Sequence, residues 1–481
     1  MADLTCDVLV AGAGPTGLML AAWLTRLGVD VMVADGKDGP TRQSRALVVQ
    51  ARSLEIYDQL GVGDEVMRQA RRATALAPGF GSRVFGRIPL GPAGEGLTPY
   101  PWIEVLEQSR NERILDRRLR DLGGSVRWGS AVEGLTEVDG GVEARVGGET
   151  VRARFCVGAD GADSVVRRAR KINFAGVTNP HRFCVIDAVA AGGLVENAIN
   201  VRPAGREFLL AFPMTGRGNW RLIGLVEDAD VTEEDVRRRF RRNFAVTYAD
   251  SRWFATYRVH HRVADRFRDG PFFLAGDAAH VHSPVGGQGM NTGLQDAHNL
   301  AFKLADVLRG RATDAWLDRY QAERRPVAKV LVNTTDRLFG LVTSQRPLTR
   351  LARTAAVSLA GPLGVRLVPR LPFFGYVSQI RIHYRSSPDA PRDPVVGRRL
   401  PWTGDNFAAL GSLRWQIHGY GLTPPAAGLE TYAFPAPPAS SPLRSDLLYL
   451  VRPDGFVAAA APPSSAVAEF STRMSDLGLL V

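Results

Sequence analysis

The chain of 481 residues is 45% hydrophobic and 23% charged, which predicts a globular protein with room for two or three domains. Its formal net charge is +11, but the arginines behind that charge are scattered, which argues against a nucleic-acid partner. No apolar run is long enough to span a bilayer, and the three cysteines have neither a CxxC nor a metal-ligand spacing. We therefore expect a reduced cytoplasmic protein with no metal and no membrane partner.

The N-terminal segment reads as a strand, a glycine-rich turn, a helix and a second strand. The turn is Gly12-Ala-Gly14-Pro-Thr-Gly17, and the second strand ends at Asp35. In such a fingerprint the first glycine permits a tight turn, the second lets the backbone approach a pyrophosphate, and the third allows close packing of helix on strand. An acid at the end of the second strand can hold ribose hydroxyls. The pattern predicts a dinucleotide site.

Two further turns of this kind follow strands later in the chain. One is the Asp160-Gly161 turn after a strand at 151–157, and the other is Gly276-Asp277 after a strand at 272–275. The second is followed by Pro284 to Gly293 and an amphipathic helix of roughly residues 288–308. Glycines before a helix leave its N–H groups and positive dipole end open to an anionic or electron-rich ligand.

These three turns, together with Ser44-Arg45-Ala46 and Gln108-x-x-x-Glu112, resemble the flavoprotein aromatic hydroxylases of the para-hydroxybenzoate hydroxylase family. The resemblance spans about residues 4–385 and is strongest to the bacterial hydroxylases that tailor aromatic polyketides. Asp35 stands where the family usually has Glu, and Gly36 where a basic residue is common. The implied fold class is α/β, with a Rossmann-like FAD-binding domain, an inserted mixed-sheet substrate domain and a small thioredoxin-like C-terminal domain.

The expected domain bounds follow from the same comparison. Residues 1–77, 101–171 and 271–345 would form the FAD-binding domain, and 78–100 with 172–270 the substrate sheet. Residues 346–390 would be a helical connection, and 391–481 the thioredoxin-like domain, which has no cysteine and so no disulfide chemistry.

The resemblance also implies roles for individual residues. The pyrophosphate, ribose and phosphate or ribitol contacts fall to one set: Gly12, Gly14, Pro15, Thr16, Asp35, Arg42, Arg45 and Gln108. Arg42 and Arg45, taken alone, would be read as surface arginines. A second set would bind the middle of the cofactor, its ribitol and the flavin ring: Asp160, Gly276, Asp277, Pro284, Gly287, Gly289, Met290 and Asn291. Phe212, Met214, Trp220 and Trp253 would line the substrate cavity, although aromatic residues in a sheet are more often core.

The function implied is an FAD-dependent monooxygenase that uses NADPH or NADH as a transient reductant and O₂ as oxidant. It would hydroxylate an aromatic small molecule through a C4a-hydroperoxyflavin. No Arg, Ser and Tyr cluster stands out as a clamp for a small carboxylate, so a polycyclic phenol or quinone is expected. Baeyer–Villiger or antibiotic-inactivating oxygenation, single-ring phenol hydroxylation and a non-oxygenating flavin protein stay open. The general base is unassigned, and a homodimer is possible.

Overall fold

A computed structural model describes residues 4–42, 44, 46–205, 207–226, 230–282, 287–343, 374–385, 393–426 and 428–480, without the side chains of 179–181 and 335–343. The helices are α1 (Pro15–Arg26), α2 (Ala51–Leu60), α3 (Gly63–Gln69), α4 (Gly91–Gly94), α5 (Gln108–Asp121), α6 (Val165–Ala169), α7 (Glu233–Phe244), α8 (Gly289–Leu308), α9 (Ala315–Thr343), α10 (Phe374–Val377) and α11 (Ala466–Asp476).

Twenty-four strands are described, and they form four sheets. They are β1 (Leu4–Ala11), β2 (Val31–Ala34), β3 (Val48–Val49), β4 (Arg71–Ala73), β5 (Ala75–Phe80), β6 (Arg83–Val84), β7 (Ile88–Pro89), β8 (Ile103–Val105), β9 (Val126–Arg127), β10 (Val132–Val138), β11 (Gly141–Val146), β12 (Glu149–Gly158), β13 (Phe174–Val189), β14 (Ala198–Ala204), β15 (Glu207–Pro213), β16 (Trp220–Val226), β17 (Asp250–Ala264), β18 (Arg268–Asp269), β19 (Phe272–Leu274), β20 (His280–Val281), β21 (Gln416–Tyr420), β22 (Glu430–Phe434), β23 (Leu448–Val451) and β24 (Val457–Ala461).

The first sheet has a parallel centre in the order β19-β12-β1-β2-β9, with the β10–β11 hairpin attached along β12. Its central strands read as continuous apolar runs, such as Val8 to Ala11, because both faces are covered. Helices α1 and α8 pack together in the same hydrophobic core. This arrangement confirms the expected α/β fold class.

The second sheet follows the order β20-β17-β13-β16-β15-β14-β5-β6, with β7 on β5, and most neighbours are antiparallel. One of its faces packs against α7, and the other packs against Leu47 and against Val48 of β3. The sheet begins at Ala75, slightly earlier than expected, and takes in β20, which follows Asp277 in the chain. The second sheet therefore includes a short strand from the segment that follows β19 of the first sheet.

The C-terminal segment builds a separate four-stranded sheet, β22-β21-β23-β24, and α11 packs against β24. We call residues 393–480 the C-terminal body. Its thioredoxin-like character stays a prediction. Most of the helical connection expected at 346–390 lies outside the described residues, and the described part contains only α10. Within the described chain, no helix is both long and apolar enough to cross a membrane.

Candidate active site

Strand register brings the three glycine-rich turns to one edge of the first sheet. Ala11 at the end of β1 is level with Gly158 at the end of β12, and Gly158 is level with Leu274 at the end of β19. On the other side Ala11 is level with Ala34, so Asp35 emerges at the same edge. Because ligands of parallel α/β sheets bind outside the carboxyl ends of the strands, this edge is the place to look for a site.

The three glycines of the first turn differ in what a side chain would meet. A Cβ on Gly12 would lie 2.5 Å from the carbonyl oxygen of Ala159, and one on Gly17 would lie 1.9 Å from the carbonyl oxygen of Gly12. A Cβ on Gly14 would meet nothing within 4 Å. Gly12 and Gly17 are therefore required by packing, whereas Gly14, the N-cap of α1, borders open space at the helix N-terminus. Pro15 occupies the first turn of α1, where its missing N–H costs nothing.

Thr16 joins the first turn to the third. A Cβ added to Gly276 would lie 2.5 Å from Thr16 Oγ1, and one added to Gly293 would lie 2.3 Å from the same atom. Gly276 also has φ +60°, a conformation that glycine adopts without strain. Two of the predicted motifs, far apart in sequence, therefore meet around one hydroxyl group at the start of α1.

Asp35 is tied into the edge by its own carboxylate. Oδ2 accepts a hydrogen bond of 2.7 Å from the backbone N–H of Ala13, and Oδ1 accepts one of 2.9 Å from the backbone N–H of Lys37. The Lys37 ammonium lies 3.6 Å from Oδ2. The basic partner expected next to this acid is absent at Gly36 and is supplied one residue later.

Gln108 clasps the loop between β2 and β3. Its Oε1 accepts a hydrogen bond of 3.1 Å from the backbone N–H of Ala46, and its Nε2 donates to Glu112 Oε1 at 2.9 Å. Glu112 Oε2 in turn accepts from the backbone N–H of Thr41 at 2.6 Å. Arg42 is exposed on this loop, and Arg45 lies outside the described residues.

Asp160 caps a helix behind the middle turn. Its Oδ2 accepts hydrogen bonds from the backbone N–H groups of Val165 and Val166, at 2.7 and 3.3 Å, at the start of α6. Burial raises the pKa of this carboxyl, against hydrogen bonds that lower it. Its Cα would lie 2.8 Å from a Cβ on Gly12, so the middle turn forms one wall of the first.

Asp277 is exposed at this edge, in a 3₁₀ turn of Gly276–Ala278 directly after β19. Its neighbours Gly276 and Ala278 are buried, so the turn is fixed in place while Asp277 itself is exposed. Pro284 lies outside the described residues, and the chain is described again from Gly287.

The start of α8 is held by the side chain of the fully buried Asn291. Its Oδ1 accepts from the backbone N–H of Gln50 at 2.8 Å and from Ser53 Oγ at 2.7 Å, and its Nδ2 donates to the carbonyl oxygens of Val48 and Gly287 at 2.8 and 2.7 Å. Helix α8 begins at Gly289, so the backbone N–H groups of its first residues have no acceptor within the helix.

The neighbours of this turn are equally close. A Cβ on Gly287 would lie 2.6 Å from Val48 Cβ, and one on Gly289 would lie 3.4 Å from His282 Nε2. Met290 Sδ accepts a hydrogen bond of 3.3 Å from Asn111 Nδ2. The structure therefore places Gly287, Gly289, Met290 and Asn291 in one turn beside β3.

Sequence reasoning missed the charge that supports the third turn. Asp296 on α8 is fully buried; its Oδ1 is 2.7 Å from Arg324 Nε, and its Oδ2 is 2.7 Å from His280 Nε2. The backbone N–H of Gly276 also donates to Oδ2 at 3.1 Å. Burial alone would raise the pKa of Asp296, but Arg324 and His280 outweigh burial and lower it. Helical spacing placed Asp296 on α8, but no local signal paired it with α9.

Two of the four predicted cavity residues lie on the face of the second sheet that packs beside Val48. This inner cluster contains Phe212, with Trp253 partly buried against it, among Leu47, Val48, Ala73, Leu90, Ile103, Val105, Phe183, Val185, Ile199, Phe208, Leu210, Ile223 and Val259. Trp220 is fully buried on the opposite face, with Phe240 and Phe244 of α7. Met214 follows β15 and belongs to neither cluster; its carbonyl oxygen accepts from Arg71 Nη1 at 2.9 Å.

An arginine on the inner face is already neutralised. Strand register places Arg221 opposite Phe212 and opposite Asp187. Arg221 Nε and Nη2 donate to the two carboxylate oxygens of Asp187, both at 2.7 Å, and the Arg221 side chain is fully buried. A bidentate pair of this kind leaves little positive charge to hold a second carboxylate.

The edge offers the space and the hydrogen-bonding groups that an FAD molecule needs. Open space lies over Gly14 at the α1 N-terminus, Asp35 and the exposed Asp277 can accept hydroxyl hydrogen bonds, and α8 begins beside an apolar wall. Of the described residues, no group of three His, Cys, Asp or Glu side chains is arranged to hold a metal ion.

Comparison with known proteins agrees with an FAD site at this edge. The model of a family described as "FAD binding domain" matches residues 5–335. The chain is 35% identical to a 6-methylpretetramide 4-monooxygenase of Streptomyces rimosus over 79% of this chain and 70% of that protein. It is 34% identical to a rifampicin monooxygenase of Streptomyces venezuelae over 70% of this chain and 72% of that protein.

A solved structure aligns over nearly the whole chain. The anhydrotetracycline hydroxylase from Streptomyces rimosus superposes with a TM-score of 0.78 and 30% identity, covering 98% of both chains. The similarity therefore includes the second sheet and the C-terminal body as well as the edge described above.

Proposed function

The chain belongs to the FAD binding domain family and is an FAD-dependent monooxygenase of the aromatic hydroxylase class; from that premise we propose that it uses NAD(P)H and O₂ to hydroxylate a polycyclic phenol or quinone. One observation carries the proposal furthest. Three glycine-rich turns meet at one sheet edge, and the apolar inner cluster lies directly beside the last of them.

The residues of the edge would divide the cofactor among them. The α1 N-terminus at Gly14 and Thr16 would hold the pyrophosphate, since free N–H groups and the helix dipole favour an anion there. Asp35 would accept from the adenosine ribose, and Asp277 from the ribitol. The first turn of α8, held by Asn291, would lie along the pyrimidine edge of the ring, where its N–H groups stabilise negative charge on the reduced flavin.

When bound, FAD would supply the redox chemistry: the oxidation of NAD(P)H and the activation of O₂ for transfer of one oxygen atom to the substrate. This chain would bind and orient the aromatic ring and exclude water from it. Phe212 and Trp253 of the inner cluster would supply apolar contact area. Asp160 would act in the transient docking of the reductant, Arg42 would pair with a phosphate of the cofactor, and the general base stays unassigned.

The preference for a multi-ring substrate rests on the inner face of the second sheet. A small aromatic carboxylate needs a charged partner, because burying an unpaired carboxylate is costly. Arg221 lies on that face but is already paired with Asp187. A neutral fused-ring phenol needs area rather than charge, and the inner cluster offers area. One relative is named for 6-methylpretetramide and another for anhydrotetracycline, and these names support the preference.

The proposal is tested by a substrate panel. NADH and NADPH oxidation by the FAD-loaded enzyme is measured with three- and four-ring phenols and with para-hydroxybenzoate, and the products are analysed by mass and by NMR. Stimulated oxidation with one added oxygen atom in a fused-ring product is expected. Efficient hydroxylation of para-hydroxybenzoate with inert fused-ring compounds would instead place the chain with single-ring phenol hydroxylases.

A second candidate is oxygenation that inactivates an antibiotic, including Baeyer–Villiger insertion. The similarity to a rifampicin monooxygenase favours keeping it. Product mass is the same for both reactions, so NMR decides: a new phenol supports hydroxylation, and a new lactone or ester supports insertion.

A further inference from the structure

The C-terminal body contacts the same helix that fixes the start of α8. At the N-terminal end of α2, Gln50 and Ser53 donate to the Asn291 side chain at 2.8 and 2.7 Å. Between these two residues in the chain, Arg52 donates through Nη2 to the carbonyl oxygen of Asp454 at 2.7 Å. Helix α2 therefore stands between the C-terminal body and the turn at Gly287–Asn291.

Further contacts run along the length of α2. Gln59 Nε2 donates to the carbonyl oxygens of Leu410 and Pro453, at 2.9 and 2.8 Å. Glu55 Oε1 lies 3.2 Å from Arg399 Nη1, and Glu55 Oε2 accepts from Arg52 Nη1 at 3.1 Å. Arg52, Glu55 and Arg399 all have side chains no more than 6% exposed. The C-terminal body thus grips α2 through buried polar groups near both of its ends.

The turn that bears Asp454 is itself anchored on the FAD-binding region. Arg452 donates to Asp454 Oδ1 through Nε at 3.0 Å and to both carboxylate oxygens of Glu323 at 2.7 and 3.1 Å. Glu323 also accepts from Lys303 of α8 at 3.0 Å. Buried charges that are fully paired resist sliding, because any displacement would leave one of them unpaired in a low dielectric.

We propose that the C-terminal body is a positioning element of the flavin site, with Asp454 and Arg399 holding α2 so that α2 holds Asn291 and the first turn of α8. This rests on the proposed function only in placing the flavin ring edge at residues 287–291. A body that merely added stability would change unfolding and leave the properties of bound flavin unaltered.

The test uses a matched pair of aspartates in the C-terminal body. Asp454 and Asp446 each pair with an arginine two residues earlier, but the Asp454 side chain is 3% exposed and the Asp446 side chain is 63% exposed. The full-length variants Asp454→Ala, Asp454→Asn and Asp446→Ala are compared with Arg399→Gln and Asn291→Ala. The readouts are the midpoint potential of bound FAD, the Kd for FAD, and hydrogen exchange of the α2 amides in the apoprotein.

We expect Asp454→Ala and Arg399→Gln to weaken the binding of FAD roughly 2- to 30-fold, which is the usual range for energetic coupling between two connected sites. They should also shift the midpoint potential in the same direction as Asn291→Ala and speed exchange along α2. Asp454→Asn, which still accepts from Arg452, should restore most of each change, and Asp446→Ala should change none. Arg399→Gln keeps the test valid if Asp454→Ala fails to fold, because Glu55 retains Arg52 and Thr98 as partners.

Two negative results overturn the proposal in distinguishable ways. If Asn291→Ala shifts the potential while Asp454→Ala and Arg399→Gln do not, the C-terminal body has no positioning role. If Asn291→Ala also leaves the potential and the Kd unchanged, the ring edge does not lie at this turn, and the proposed placement of the cofactor fails with it.

Discussion

The glycine-rich edge of the first sheet and the apolar face of the second sheet meet at the candidate site, but they are built from different materials. At the edge, backbone atoms approach so closely that a single methyl group at Gly12, Gly17 or Gly276 would overlap a neighbour. On the inner face, large side chains such as Phe212 and Trp253 fill the space instead. These three glycines should therefore tolerate almost no substitution, whereas the face can change its residues and with them its substrate.

The largest expected effect on the free energy of unfolding comes from breaking the buried ion pair between Arg324 and Asp296, beneath the edge. Arg324→Met would leave the buried negative charge of Asp296 with His280 and the Gly276 N–H as partners, and breaking such an ion pair costs about 3–5 kcal/mol. Urea unfolding of the FAD-loaded enzyme measures the loss. The control is Arg238→Met: this arginine is 67% exposed beside Asp235, and its loss should change the free energy of unfolding far less. A similar small loss for both variants would contradict the account.

Two alanine substitutions in the first turn separate packing from ligand binding. Gly17→Ala places a methyl group 1.9 Å from a backbone oxygen and should prevent the turn from forming, with loss of soluble protein. Gly14→Ala meets no protein atom within 4 Å, so the protein should fold normally but bind FAD at least roughly tenfold more weakly, about 1.4 kcal/mol. Thermal unfolding of the apoprotein and FAD titration measure the two effects. Unchanged FAD affinity in Gly14→Ala would show that the pyrophosphate lies elsewhere.

The two faces of the second sheet can be compared through their tryptophans. Trp253→Leu should raise KM for a fused-ring phenol roughly 2- to 10-fold, because one aromatic contact is worth about 0.5–1.5 kcal/mol, and should leave FAD binding unchanged. Trp220→Leu, on the α7 side, should lower stability without changing KM. Steady-state kinetics with the same substrate distinguishes them. An equal effect of both variants on KM would mean that the inner face does not meet the substrate.

The smallest expected effect is a pH dependence at the junction of α2 and α8. Burial, then the nearby charges of Arg52, Lys303, Arg324 and Arg452, lower the pKa of His298 well below its ordinary 6.5. The folded protein keeps this imidazole neutral, with Nε2 2.9 Å from Gln59 Oε1, while the unfolded chain binds a proton below about pH 6.5. Stability should therefore fall as the pH drops from 7 towards 5. His298→Gln should flatten that slope in urea unfolding, and an unchanged slope would assign it to other groups.

The edge was predictable from sequence because its signals are local. Each glycine-rich turn follows an apolar strand, and the parallel order of strands brings their carboxyl ends together without further information. The roles of Gly12 and Gly17 follow from the same pattern, since both positions need the absence of a side chain.

Side-chain partners across the fold were not predictable in this way. No local sequence pattern around Asp296 indicates that it pairs with Arg324, which is 28 residues away on another helix. The face on which Trp220 lies was equally hidden, because both faces of β16 are buried and its residues do not alternate between apolar and polar. Pro284 and Arg45 lie outside the described residues, so their predicted contacts with the cofactor stay predictions.

The central claim, that the three turns form one FAD site, is tested most directly by the FAD affinity of Asp277→Ala apoprotein. The substitution removes an exposed acceptor proposed for the ribitol, and a hydrogen bond to a charged group is worth about 1.5–3 kcal/mol. The account predicts a Kd one to two orders of magnitude higher, roughly. Asp163→Ala, an exposed aspartate in the middle turn, serves as the control and should bind like the wild type. An Asp277→Ala protein that binds FAD as tightly as the wild type would contradict the claim.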